Sequence, residues 1–140
     1  MQKPQRSNDL FIELHVPDLE KVKEFYGKLG FSLASEDKLG KELGYLVMRL
    51  KNTQLHFYGG DERIYEHDFF KRFPKDTPRG YGVEITISID DIDSYYKKVE
   101  PLIKENLAEP LQMRSWGIKD FRIMDCFGYY IRFTEQMNWI

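Results

Sequence analysis

The chain has 140 residues, of which 41% are apolar and 31% are charged, with a formal net charge of −2. This is the length of one domain with an ordinary globular composition. The charge offers no basic surface for nucleic acid, and no apolar run approaches the length of about 20 residues that spans a bilayer. The single Cys126 cannot form an internal disulfide, and residues 1–9 contain no apolar signal-peptide core. We therefore expect one cytoplasmic domain, residues 1–140, that binds neither nucleic acid nor membrane.

The first half of the sequence predicts a strand, a helix and three further strands. Residues 9–16 alternate between apolar and polar side chains, as a half-buried strand does, and Asp18 follows at a helix N-cap position. The helix carries an apolar stripe and should end at Gly30. The stripe consists of Leu19, Val22, Phe25, Tyr26 and Leu29. The three strands are predicted over residues 32–35, 44–50 and 53–58.

The second half repeats this order. Residues 82–89 alternate as a strand, Asp91 is the next N-cap, and Pro101 should end the helix. VPDL at 16–19 and IDDI at 89–92 align at an offset of 73 residues, which indicates an internal repeat. The last three strands are predicted over residues 111–115, 119–124 and 129–135. The sequence therefore predicts two βαβββ modules, at about residues 9–60 and 81–136.

A linker at residues 61–80 separates the two modules. Linkers of this length are usually functional or disordered. Its aromatic residues, including the Phe69-Phe70 pair, indicate that part of it packs against another element. His67 is expected to lie on the surface.

Four strands have one apolar face and one face that mixes polar and aromatic residues. We expect the apolar faces to pack against the helices and the mixed faces to line a concave cavity. The alternative is a sheet face open to solvent, which is common for antiparallel sheets. The predicted apolar faces are Leu10, Ile12, Leu14 and Val16; Leu55 and Phe57; Val83, Ile85, Ile87 and Ile89; and Ile131 and Phe133. The mixed faces include Phe11, Glu13 and His15; His56 and Tyr58; Glu84; and Tyr130 and Arg132.

Four segments of the sequence carry a resemblance to a known group of proteins. They are VPDLEKVKEFYGKLGF (16–31), LHFY (55–58), ISIDDIDSYY (87–96) and WGIKDFRIMDCFGYYIRF (116–133). They resemble the vicinal oxygen chelate superfamily of glyoxalases, bleomycin resistance proteins and extradiol dioxygenases, over roughly residues 10–135. LHFY and WGxxDF are most similar to the bleomycin resistance branch, although DCFG at 125–128 replaces the usual DPDG. The resemblance implies an α+β fold of two βαβββ modules that form a concave, cup-like mixed sheet, and a homodimer.

The resemblance also implies where a metal would bind in the metal-using relatives. The aligned positions are Phe11, His56, Glu84 and Arg132, where the relatives have His or Gln, then Glu, His and Glu. Only His56 and Glu84 can ligate, and their order is exchanged. A guanidinium stays protonated and repels cations, so we predict an ion pair between Glu84 and Arg132. The alternative is a divalent metal held by Glu13, His56 and Glu84, in a glyoxalase- or dioxygenase-type enzyme with an altered ligand set.

We predict a ligand site with no metal and no catalytic residue. Aromatic faces with a few charges suit a flat, cationic or polar heteroaromatic molecule. The resemblance implies sequestration of bleomycin-type glycopeptides between the subunits of a dimer, and thus antibiotic resistance. A third possibility is a degenerate member whose cup is filled by its own side chains and which serves an interaction role. The predicted site residues are Phe11, Glu13, His56, Tyr58, Glu84, Trp116, Phe121 and Arg132. The natural ligand, and whether modules pair within or between chains, stay open.

Overall fold

The computed structural model of the chain describes residues 9–39 and 42–137 and contains two four-stranded mixed sheets. Each sheet is built from the strands of one module, and the strands and helix follow the same order in both modules. The first module contains β1 (Ile12–Val16), α1 (Leu19–Lys28), β2 (Ser32–Leu39), β3 (Glu42–Leu50) and β4 (Thr53–Gly59). The second contains β5 (Ile85–Ser88), α2 (Ile92–Val99), β6 (Leu107–Met113), β7 (Lys119–Met124) and β8 (Tyr130–Thr134). The α+β fold with two βαβββ modules is as predicted.

The two sheets have the same topology. Their strand orders are β1-β4-β3-β2 and β5-β8-β7-β6. In each sheet the first and last strands of the module are parallel, and the remaining pairs are antiparallel. Residues that pair between the first and last strands of a module therefore lie side by side and point to the same face of the sheet.

Both helices begin at the predicted caps. The Asp18 carboxylate accepts a hydrogen bond from the backbone N–H of Lys21 at 3.1 Å, and Asp91 accepts from Ser94 at 3.2 Å. These bonds satisfy amide groups that the first turn of a helix leaves without a partner. The first helix is followed by Gly30 with a φ of 90°, as the predicted helix end requires.

One strand begins later than predicted, and two apolar residues are consequently exposed. β5 starts at Ile85 rather than at residue 82, because Gly80 and Gly82 have φ values of 69° and 80° and form a turn instead of extended chain. Val83 is 56% exposed, and Leu10, which precedes β1, is 80% exposed. The prediction that these two side chains pack against the helices is wrong.

One hydrophobic core joins the two modules within the chain. The buried faces of both sheets and both helices belong to the same cluster of side chains. Buried hydroxyls reinforce it: Tyr26 donates to Asp125 at 2.6 Å, and Tyr95 donates to the carbonyl of Leu29 at 2.7 Å. Burial raises the pKa of the Asp125 carboxyl, which also accepts the backbone N–H groups of its own turn. The modules of one chain therefore pack against each other.

The linker folds back onto the first module. It contains two 3₁₀ turns, Glu62–Glu66 and Phe70–Arg72, and buries Ile64. A Cβ at Gly59 would lie 2.2 Å from the Ile64 side chain, so only glycine allows this close approach. Arg79 ends the segment by donating to the carbonyl of His15 at 3.2 Å. Among the described residues, no helix is both long and apolar enough to cross a membrane.

Candidate functional site

A set of aromatic and imidazole rings lies on one face of the first sheet. We call it the first-module face, and it comprises Phe11, Glu13, His15, Tyr45, His56 and Tyr58. The parallel register of β1 and β4 places Glu13 beside His56 and His15 beside Tyr58. The Phe11 ring stacks on the His56 ring, with centroids 4.1 Å apart and planes inclined by 18°. The structure therefore brings together the four residues predicted for this module.

Tyr45 connects the carboxylate and the imidazole of this face. Its hydroxyl lies 2.9 Å from Nδ1 of His56, and burial together with a hydrogen bond to Glu13 raises the pKa of Tyr45. Burial lowers the pKa of His56, although the Glu13 charge acts in the opposite direction. His56 is therefore neutral near pH 7, and Glu13 provides the negative charge of the face. Tyr45 was not predicted as a site residue, although it lies in the predicted third strand, where the structure pairs it with Tyr58.

The other end of the first-module face is covered by the linker. The His15 ring lies 4.9 Å from the Tyr58 ring and 5.1 Å from the His67 ring, and its Nε2 is 3.3 Å from the Glu13 carboxylate. Phe70 contacts both histidine rings. His67 is half-buried and contacts the His15 ring, a contact that no local sequence pattern could reveal.

The second sheet carries a network of charges on its polar face. We call it the second-module face, and it comprises Glu84, Glu109, Arg114, Trp116, Asp120, Arg122 and Arg132. Arg132 lies 3.7 Å from the Glu84 carboxylate and 3.0 Å from that of Asp120. The predicted ion pair between Glu84 and Arg132 is therefore present. The guanidinium also lies 5.5 Å from the centroid of the Trp116 ring, which is 53% exposed.

Asp120 is the centre of this charge network. Its side chain is fully buried, and Arg114 and Arg122 donate to it at 2.7 and 3.3 Å. Burial alone would raise the pKa of Asp120, but hydrogen bonds from Arg122 and Arg114 lower it below the ordinary value. These three residues were not predicted from the sequence, although alternation in KDFRIM places Asp120 and Arg122 on one face of β7.

Phe121 does not belong to the ligand site, and its prediction is corrected. The side chain is fully buried, stacks on Phe133 with centroids 5.0 Å apart, and contacts Tyr96 of α2. Because neighbouring residues of a strand point to opposite faces, Asp120 and Arg122 on the polar face leave Phe121 on the helix side. The WGxxDF motif therefore contributes Trp116 to the second-module face but not Phe121.

The described residues contain no cluster that fits the divalent metal of the alternative prediction. Within the described residues, 9–39 and 42–137, there is no group of three or more His, Cys, Asp or Glu side chains that could hold a metal ion. Of the alternative ligands, Glu13 and His56 both contact Tyr45, whereas Glu84 pairs with Arg132 on the other module. Phe11, the first of the four aligned positions, offers no ligand atom and stacks on His56.

No protein-family model matches the chain, and no curated protein matches its sequence. Solved structures match it over nearly the whole length. A bleomycin resistance determinant encoded on the transposon Tn5 is 17% identical with a TM-score of 0.68, covering 94% of this chain and 100% of that one. A bleomycin-binding protein complexed with bleomycin is 15% identical with a TM-score of 0.64 and the same two coverages.

A third structure widens this comparison beyond the bleomycin proteins. A member of the glyoxalase/bleomycin resistance protein/dioxygenase superfamily from Sphaerobacter thermophilus DSM 20745 is 20% identical with a TM-score of 0.62, covering 90% of this chain and 94% of that one. Likeness at these identities is a likeness of fold. The chain has the fold of the glyoxalase/bleomycin resistance/dioxygenase proteins.

Proposed function

We propose that the protein binds a flat, cationic or polar heteroaromatic small molecule and protects by sequestration, without catalysing a reaction. The observation that carries this proposal is the exposed ring on the first-module face. Phe11 stacks on His56 with one side of its ring and yet stays 44% exposed. A large apolar ring held in a fixed orientation and open to solvent is a surface on which a second flat ring can stack.

The charges around Phe11 favour a cationic ligand. Glu13 lies beside His56 in the strand register, its side chain is 40% exposed, and His56 is neutral near pH 7. A positively charged group of the ligand would therefore find a carboxylate within the same face as the stacking ring. Each stacked aromatic pair contributes about 0.5–1.5 kcal/mol beyond the area it buries.

The second-module face contributes to the same proposal. Trp116 is exposed and lies next to the Arg132 guanidinium, so it offers a second ring at a site of mixed charge. Exposed aromatic side chains on both faces also support a homodimer in which a subunit interface closes the pocket. The bleomycin complex of a structural neighbour makes a bleomycin-type glycopeptide the first probe.

Calorimetric titration with a bleomycin-type glycopeptide tests the proposal. We expect saturable binding by the wild-type protein and an affinity about tenfold lower for Phe11→Ala, which corresponds to the loss of one stacked ring pair. The matched control is Tyr81→Ala, because Tyr81 is 89% exposed and lies outside both faces. Absence of binding, or equal loss in both variants, would contradict the proposal. Sedimentation of the free protein tests the dimer.

A further inference from the structure

Four rings from three separate segments meet where the linker covers the first-module face. His15 of β1 contacts Tyr58 of β4, His67 and Phe70, with centroid distances of 4.9, 5.1 and 5.3 Å. His67 and Phe70 contact each other at 4.9 Å. Phe70 is nevertheless 48% exposed, so part of its ring is available to another molecule.

The linker conformation depends on an unprotonated nitrogen of His67. Nδ1 of this ring accepts hydrogen bonds from the backbone N–H groups of Phe69 at 3.1 Å and Phe70 at 3.3 Å. The turn that follows, Phe70–Arg72, begins after Phe69, whose own side chain makes no capping hydrogen bond. An imidazole nitrogen accepts only while it carries no proton, and both nitrogens of an imidazolium are donors. Protonation of His67 therefore removes both bonds.

The surroundings of His15 also disfavour protonation of its own ring. Burial lowers the pKa of His15, Glu13 on the same strand raises it, and His67 and Arg79 of the linker lower it. Tyr58 faces the ring from β4 without a charge.

The charged neighbours of His67 on its own segment compensate each other. Asp68 and Lys71 form an exposed ion pair at 3.9 Å. Two imidazolium rings at a centroid distance of 5.1 Å would repel each other.

We propose that residues 67–73 form a proton-controlled flap over the ligand site, with Phe70 as a ligand-contacting ring. The flap is closed while His15 and His67 are neutral and leaves the face when they are protonated. Because the pKa of His15 is lowered in the closed arrangement, closure is favoured above the ordinary histidine pKa of about 6.5 and is lost as the pH falls below it. The contact of Phe70 with a ligand rests on the proposed function, whereas the proton-dependent closure does not.

Hydrogen exchange of the free protein tests the closure. After correction for intrinsic rates, exchange of residues 67–73 should increase on going from pH 7.5 to 5.5, by at most about tenfold per pH unit for each proton taken up. Residues 119–124 of β7 serve as the internal control, because β7 belongs to the second sheet, whereas His15 lies in the first sheet and His67 in the linker. Equal protection of residues 67–73 at both pH values overturns the proposal.

Two substitutions of His67 assign the effect to its acceptor atom. His67→Asn keeps a side-chain oxygen that can accept the two backbone N–H groups but does not titrate. We expect it to remove most of the pH dependence while the flap stays closed. His67→Leu keeps an apolar side chain without an acceptor and should exchange fast at both pH values. An unchanged pH dependence in His67→Asn overturns the proposal.

Ligand binding at the two pH values tests the second part. The wild-type protein should bind a bleomycin-type glycopeptide more weakly at pH 5.5 than at pH 7.5, by several fold more than His67→Asn does. Titration of the glycopeptide itself affects both proteins equally and cancels in this comparison. Absence of binding at both pH values defeats the proposed function and leaves the exchange result standing. Binding with the same pH dependence in both proteins overturns the role of the flap in the site.

Discussion

The two polar faces occupy equivalent positions of a repeated module but differ in chemistry. Phe11 of the first module corresponds to Glu84 of the second at the repeat offset of 73 residues. The last strands agree with this, since His56 pairs with Glu13 in the first module and Arg132 pairs with Thr86 in the second. The first-module face is built from rings around one carboxylate. The second-module face joins the guanidiniums of three arginines to three carboxylates.

The two faces therefore differ in what they offer a ligand: the charged groups of the second-module face are paired with one another, whereas the first-module face exposes an aromatic ring. Every charge of the second-module face has an opposite charge within 4.0 Å. A ligand that binds there must compete with pairs that already exist. The exposed side of the Phe11 ring is an apolar surface on which a ligand can stack without displacing an ion pair. We therefore expect the second-module face to contribute mainly to stability and the first-module face mainly to binding.

Asp120→Ala is expected to have the largest effect on stability. The variant leaves the guanidiniums of Arg114, Arg122 and Arg132 without the buried carboxylate that they share. Removal of one partner from a buried ionic network destabilises a protein by about 3 kcal/mol or more. Urea denaturation should show this loss, whereas Asp93→Ala, which removes an exposed pair with Lys119, should cost less than about 1 kcal/mol. Equal losses would show that the network adds no special stability.

The contribution of Asp120 should also depend on pH. Because its folded pKa lies below the ordinary carboxyl value of about 3.9, its stabilisation is complete above that pH and is lost as the pH falls through the folded value. The difference in unfolding free energy between wild type and Asp120→Ala should therefore decrease below about pH 4. A difference that stays constant down to pH 3 would contradict this assignment.

Metal uptake is the next test, since it asks whether the two faces hold a metal ion. We expect protein purified without a chelator to contain no stoichiometric divalent ion. Phe11→His or Arg132→Glu alone should not change this, because each leaves one aligned position without a ligand; the double variant should increase uptake. Elemental analysis gives the stoichiometry. A tightly held ion in the wild type would favour the alternative of a metal-dependent enzyme, and uptake by Arg132→Glu alone would show that the aligned positions are misassigned.

Trp116→Ala compares the exposed rings of the two faces. The Trp116 ring already interacts with the Arg132 guanidinium, and such contacts at exposed sites contribute about 0.5–1 kcal/mol. We therefore expect the affinity for a bleomycin-type glycopeptide to fall by about threefold, less than for Phe11→Ala, with folding unchanged in both. Calorimetry of the two variants gives the comparison. A larger loss for Trp116→Ala would place the main stacking surface on the second-module face.

Much of the fold follows from patterns that are local in the sequence. The repeat offset, the helix caps at Asp18 and Asp91 and the strand alternation all correspond to elements of the structure. β6 is an instructive exception, since it spans Leu107–Met113 and contains Pro110. Proline lacks an N–H and is tolerated in edge strands, and β6 is the edge of its sheet. The strand predicted over residues 111–115, after the proline, therefore begins too late in the sequence.

The site could be predicted only in part, for a different reason. Alternation places Phe11, Glu13 and His56 on one face, and the structure agrees. Phe121 was assigned through a motif rather than through alternation, and the burial of the neighbouring strand face decides its position. His67 meets His15 across 52 positions of sequence, through a linker whose path depends on the packing of Ile64 and on Arg79. Such contacts have no local signature.

The last comparison concerns one tyrosine hydroxyl in each module. Tyr45→Phe removes a group that lies 2.9 Å from His56 and also bonds Glu13, so about 1 kcal/mol of unfolding free energy should be lost. Tyr130→Phe removes a hydroxyl that is 3.5 Å from Arg122, a distance at which hydrogen bonds are weak, and Arg122 keeps its bonds to Asp120. Its loss should be within about 0.5 kcal/mol. Urea denaturation of both variants measures the difference, and the reverse order would show that the carboxylate network depends on its tyrosine.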